Sequence, residues 1–113
     1  TMNSTRISAM PIPATVTAAQ AAETYASEAD LLNVALFGQT ARQWRAANPA
    51  QAGNMRDEAS VEQLLVLANI EGMNAEFIHM GLAQGERLKR LNAIAIRQMQ
   101  TRTARPAAPR LKE

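Results

Sequence analysis

Glu76 and His79, one helical turn apart in Glu76-Phe77-Ile78-His79, are the pair whose types and spacing come nearest to a metal site. A Glu-x-x-His step on a helix points both side chains into a bundle, and carboxylate-bridged di-iron sites use two such steps with two further Glu. This chain has one His and no Cys, which excludes a multi-histidine site within one copy and every thiolate site. On a helical wheel Glu76 falls on a polar stripe with Glu62 and Asn69, and His79 reads as a cation near a helix C-terminus. No glycine-rich phosphate loop, paired-carboxylate spacing or Ser-His-Asp set occurs. The sequence therefore predicts a non-enzyme with no catalytic residue, no metal and no cofactor.

Polar residues on otherwise apolar faces are the next candidates. The wheel places Glu71 between Leu64, Leu67, Ala75 and Ile78, where an unpaired carboxylate would cost several kcal/mol. Glu71 must therefore find a partner, such as Arg87, Asn33, the Trp44 indole N–H or an arginine of another subunit, or lie at an uncovered seam. Glu71, Asn74, Asn33 and Arg87, with Asn92, are assigned to a buried polar network or interaction site. The loop Gly53-Asn54-Met55-Arg56-Asp57 lies close in sequence to Arg42, Trp44 and Arg45. Arginines near an aromatic suit a phosphate or a stacked base, but Asp57 and Glu58 counter that field. Asn54, Arg56 and Asp57 are instead read as a loop clamp, with Asp57 starting a helix, Arg56 holding the loop and Trp44 in the core.

Charge is unevenly spread. The formal net charge is only +2, yet residues 1–85 carry four Arg against eight acids, and residues 86–113 carry eight bases against two acids. Arg90, Arg97, Arg102, Arg105, Arg110 and Lys112 form a basic last helix and tail that could meet nucleic-acid phosphates, an acidic partner or the chain's own acidic half.

The elements that must position these residues are helical. With 113 residues, 47% of them apolar, the chain has the size of one domain. No run of about 18 apolar residues offers a membrane span, and no basic region followed by an apolar stretch opens the chain, so no leader is expected. Residues 1–16, with Pro11 and Pro13, read as an extended arm. Thr17 with Gln20 is a capping box opening a helix that runs to Gly38. A second box, Thr40 with Gln43, starts a short helix that Asn48-Pro49 stops. A third, Ser60 with Gln63, starts a central helix running to about Gly81. Gly81 and Gly85 bracket a tight connection to an antiparallel last helix over about 86–103, whose seam is Leu88, Leu91, Ala95 and Met99. Residues 104–113, with two prolines and no period, read as a flexible basic tail. The fold expected is all-α, a small bundle of about four helices over residues 17–103.

The run from Tyr25 to Met99 resembles the helical segment that follows the DNA-binding domain in bacterial and prophage KilA-N proteins. The shared pieces come in order: EADLLNVALFG, TARQW, NP, GN-x-RD, AS-x-x-QL, the N-x-E of Asn69 and Glu71, NA, and ERL-x-x-LN-x-x-AI-x-QM. No piece is specific alone; the order and spacing are. The resemblance implies a phage-derived, DNA-associated protein, cytoplasmic in its bacterial host. The KilA-N domain itself, an α/β module, would precede residue 1, so the implied contact with DNA belongs to that domain.

The function expected from sequence is a non-enzymatic helical interaction or oligomerisation module, partnered by further copies of itself or by another protein. A central helix that is apolar nearly all round exceeds what four helices can cover. The alternative is direct nucleic-acid contact through the basic last helix and tail.

Overall fold

A computed structural model describes residues 12–104. Among these residues five α-helices and one 3-10 turn follow one another: α1 (Ala18–Ala22), α2 (Glu28–Phe37), α3 (Ala41–Ala47), the turn Met55–Glu58, α4 (Val61–His79) and α5 (Gln84–Ala104). No strand occurs among the described residues. All three capping boxes read from the sequence form. In each, the Thr or Ser hydroxyl accepts from the backbone N–H three residues on, and the Gln side chain accepts from the cap residue's own N–H. These contacts satisfy amides that a helix start leaves without partners.

The continuous helix expected from Thr17 to Gly38 is instead broken between Ala22 and Glu28. The cause is tertiary. Gln84, the first residue of α5, accepts from the Tyr25 backbone N–H (2.8 Å) and donates to its carbonyl (3.1 Å). Both polar groups of that peptide are thereby paired outside a helix. Ser27 then restarts the chain by accepting from the Asp30 N–H, with Glu28 and Asp30 in the first turn of α2, where acids are favoured.

Every residue of α2 from Leu31 to Phe37 is buried, as the apolar residues around its whole circumference predict. α5 packs against α4, α2 and α1, and α2 also meets α4. The predicted α5 seam, Leu88, Leu91, Ala95 and Met99, is fully buried. Asn69 donates to Gln98 (3.2 Å) and Arg87 Nε to Asn74 (3.0 Å), pairings that run α4 and α5 antiparallel. Their connection closes on Gly81. The Leu82 N–H reaches the Phe77 carbonyl and the Gly81 N–H that of Ile78, a Schellman ending that needs the left-handed conformation Gly81 adopts at φ +83°. At Gly85 α1 crosses α5 so closely that an added Cβ would lie 2.6 Å from the Ala21 carbonyl oxygen.

Residues 12–16 have no helix or strand, and Asn92 ties them down. Its carboxamide accepts from the Val16 N–H and donates to the carbonyls of Ala14 and Ala35, each at 3.0 Å. The earlier part of the arm lies outside the described residues, as does the tail beyond Ala104, which itself still belongs to α5.

Candidate functional site

Arg87 is buried on α5 and reaches three groups. Its Nε donates to Asn74 Oδ1, Nη1 to the Leu82 carbonyl at 2.8 Å, and Nη2 to both Glu28 oxygens at 3.1 and 2.9 Å. Asn74 closes the ring by donating to Glu28 Oε1 at 2.9 Å. Asn74 and Arg87, which the sequence groups with Glu71 and Asn33, are brought together here, and the acid that joins them is Glu28. Its signal was faint: an acid in the first turn of a helix explains itself by the helix dipole alone.

Glu71 is not part of this network. Its side chain is 45% exposed and meets Arg56 Nη2 at 3.6 Å, an ion pair in water. The assignment to a buried network is thus corrected, and the other outcome open to Glu71, an uncovered seam, is what the structure shows. Leu64, Ala75 and Ile78, the neighbours that marked Glu71 as interior, are themselves exposed. The apolar arc of α4 is wider than the surface the rest of the chain covers.

The loop before α4 is also arranged differently from the expectation. Asn54, not Asp57, caps the 3-10 turn, accepting from the Asp57 N–H while Asp57 accepts from that of Asn54. Arg45, not Arg56, clamps the loop, donating to the carbonyls of Asn48, Gln51 and Gly53 while lying over the Trp44 ring at 4.9 Å. Trp44 is buried, as predicted. Arg56 is freed to reach α4.

Asn33 is the polar residue with no explanation in the packing. It is buried on α2, and its Oδ1 is shut from solvent without a hydrogen-bond partner. No hydrogen bond joins it to Arg87 or Asn74, and it forms part of the wall of a 260 Å³ cavity with Ala41, Asn54, Met55 and Arg56.

Of the basic residues, Arg90 is engaged: its Nε donates to Glu86 at 2.8 Å and its guanidinium lies 6.0 Å from the Phe77 ring. That hydrogen bond holds the exposed Glu86 carboxyl below its usual range. Arg97 and Arg102 are exposed and, with Asn69, Gln98 and Thr101, line a 520 Å³ cleft at the junction of α4 and α5. Arg105, Arg110 and Lys112 lie outside the described residues.

An exposed apolar surface lies on the outer face of α4. Val61 (69% exposed), Leu65 (48%), Ala68, Gly72, Ala75 and His79 form one exposed row, with Leu64 and Ile78 beside it. A Cβ added at Gly72 would find no atom from elsewhere in the chain within 4 Å. No described helix is long and apolar enough to cross a membrane. Comparison with protein-family models, with curated proteins and with solved structures returns no match to this chain.

Proposed function

We propose that this chain is a non-enzymatic helical self-association module, belonging to a phage-type DNA-binding protein of the KilA-N kind and working in the bacterial cytoplasm. The observation that carries the self-association is the exposed row on α4. Its positions, 61, 65, 68, 72, 75 and 79, are spaced by four and three alternately, the seam of a helix pair. The spacing also reads the same in both directions, so a two-fold axis between residues 68 and 72 superposes the row on itself in an antiparallel copy. In that register Leu65 of one copy faces Ala75 of the other, and Ala68 faces Gly72, placing large against small. The flanking acids avoid one another: Glu62 lies opposite Ile78, Glu71 opposite Asn69, and Glu76 opposite Leu64. The order of short motifs from Tyr25 to Met99 supports the KilA-N reading, in which a preceding domain reads DNA and this module brings copies together.

Light scattering on the purified chain tests the self-association. The expected mass is about twice that of one copy at concentrations typical of weak-to-moderate dimers, on the order of 10 µM. Leu65→Glu is expected to return it to a monomer with unchanged helix content, because Leu65 contributes little to the monomer's own core. A monomeric wild-type chain across that range would remove the reading.

A second reading is favoured by the cleft at the α4–α5 junction. Arg97 and Arg102 border it with no acidic partner among the described residues, an arrangement suited to a phosphate. Nucleic-acid binding through it would weaken steeply with salt and fall on Arg97→Ala with Arg102→Ala. An apolar α4 seam responds little to salt.

A further inference from the structure

A buried amide oxygen without a partner is costly, on the order of 1–3 kcal/mol, and native packing retains few of them. Asn33 Oδ1 is the one such side-chain atom among the described residues, and Asn33 borders the 260 Å³ cavity between α2, the start of α3 and the 3-10 turn. The cavity's other walls divide its chemistry. Met55, itself fully buried, and Ala41 are apolar, while Arg56, whose guanidinium reaches Glu71, also lines it. The last torsion of an Asn side chain is a soft, two-fold rotor, so either end of the Asn33 carboxamide can be turned to the cavity.

We propose that this cavity is a binding site for a carboxamide carried on a short apolar stem. With the Asn33 carboxamide turned so that Oδ1 faces the cavity, a bound carboxamide supplies an N–H for that oxygen and a carbonyl oxygen for Arg56. The stem lies against Met55 and Ala41. The volume, below the 300–1,000 Å³ of pockets for drug-sized ligands, fits a single side-chain-sized group. A carboxylate is disfavoured, because the Arg56 charge already faces Glu71 at 3.6 Å and a second anion there would be repelled by that acid. The group comes either from a free small molecule or from the Gln or Asn side chain of a polypeptide. The site is separate from the α4 seam and does not depend on it.

Titration of the full chain with propionamide, followed by backbone amide resonances, tests the proposal. Saturable shifts centred on Asn33, Ala41, Met55 and Arg56 are expected, with propionate about tenfold weaker. Arg56→Ala, a surface change that leaves the fold intact, is expected to weaken propionamide binding about tenfold, and Asn33→Leu to abolish it with helix content preserved. Absence of saturable shifts up to about 100 mM, equal response to propionate, or indifference to Arg56→Ala would overturn it. Two further probes distinguish the sources: tighter binding of N-acetyl-glutamine N-methylamide than of free glutamine assigns the group to a polypeptide, and the reverse order to a free molecule. Both orders support the site.

Discussion

Arg87 and Glu71 are charged residues of adjacent helices with opposite fates. The Arg87 side chain is 9% exposed and holds Glu28, Asn74 and the Leu82 carbonyl, whereas Glu71 pairs with Arg56 at 3.6 Å and in water. Arg87→Met is therefore expected to strand the buried Asn74 carboxamide and a half-exposed Glu28, costing about 2 kcal/mol after allowance for the solvent around Glu28. Glu71→Ala is expected to change stability by less than about 0.5 kcal/mol. Chemical unfolding of the two variants measures both, and equal midpoints would contradict the assignment. Tyr25 supplies a pH-dependent test. Burial, with the charge of Glu23 adding to it, pushes its phenol above the ordinary value, and the hydroxyl donates to the Gln20 carbonyl at 2.8 Å. The unfolded phenol therefore ionises first. Its contribution is complete below the ordinary value near pH 10 and is lost as pH rises through the higher folded value. Tyr25→Phe is expected to cost about 1 kcal/mol at neutral pH and to lose less stability than the wild type between about pH 8 and pH 11; parallel declines would exclude this role. Among single residues, Trp44 and Asn74 were legible as interior from sequence. For Glu71 the sequence leaves open a partner in the core or an uncovered seam, and only the packing around α4 decides for the seam.

Helix starts are written locally, and so the elements were largely legible. Thr17, Thr40 and Ser60 each find their Gln three residues on, and no distant contact is needed to form those caps. The break between α1 and α2 was not legible, because the group that stabilises it, Gln84, is 59 residues away from Tyr25. Gln84→Ala removes both bonds to the Tyr25 peptide and leaves a partly buried N–H and carbonyl without partners. A loss of about 1–3 kcal/mol in unfolding free energy is expected, with faster amide exchange in residues 18–27. Unchanged exchange there would show that the break is fixed by other contacts. The loop before α4 follows the same rule. Asn54 and Asp57 are a local pair and were picked out together, whereas the choice of Arg45 over Arg56 as its clamp depends on how α3 is oriented.

At the scale of the whole molecule, the fold class was set by patterning. α2, buried all round from Leu31 to Phe37, closes on the period-3.6 seam of α5, and the chain is all-α. What patterning could not tell is which part of α4's apolar circumference the chain itself covers. Val66, Leu67, Ile70 and Phe77 are covered; Val61, Leu64, Leu65 and Ile78 are not. That surplus is the physical basis of the proposed self-association, and its register can be read directly. The chain has no Cys, so a single introduced thiol reports on one position alone. In the antiparallel pairing, Leu65 of one copy lies beside Ala75 of the other, whereas two copies of either position are about 15 Å apart along the helix axis, beyond disulfide reach. An equimolar mixture of Leu65→Cys and Ala75→Cys chains, oxidised and resolved by mass, is predicted to give the mixed disulfide dimer, with neither variant cross-linking efficiently alone. No cross-link from the mixture, or equal cross-linking of each variant with itself, would contradict the α4 seam.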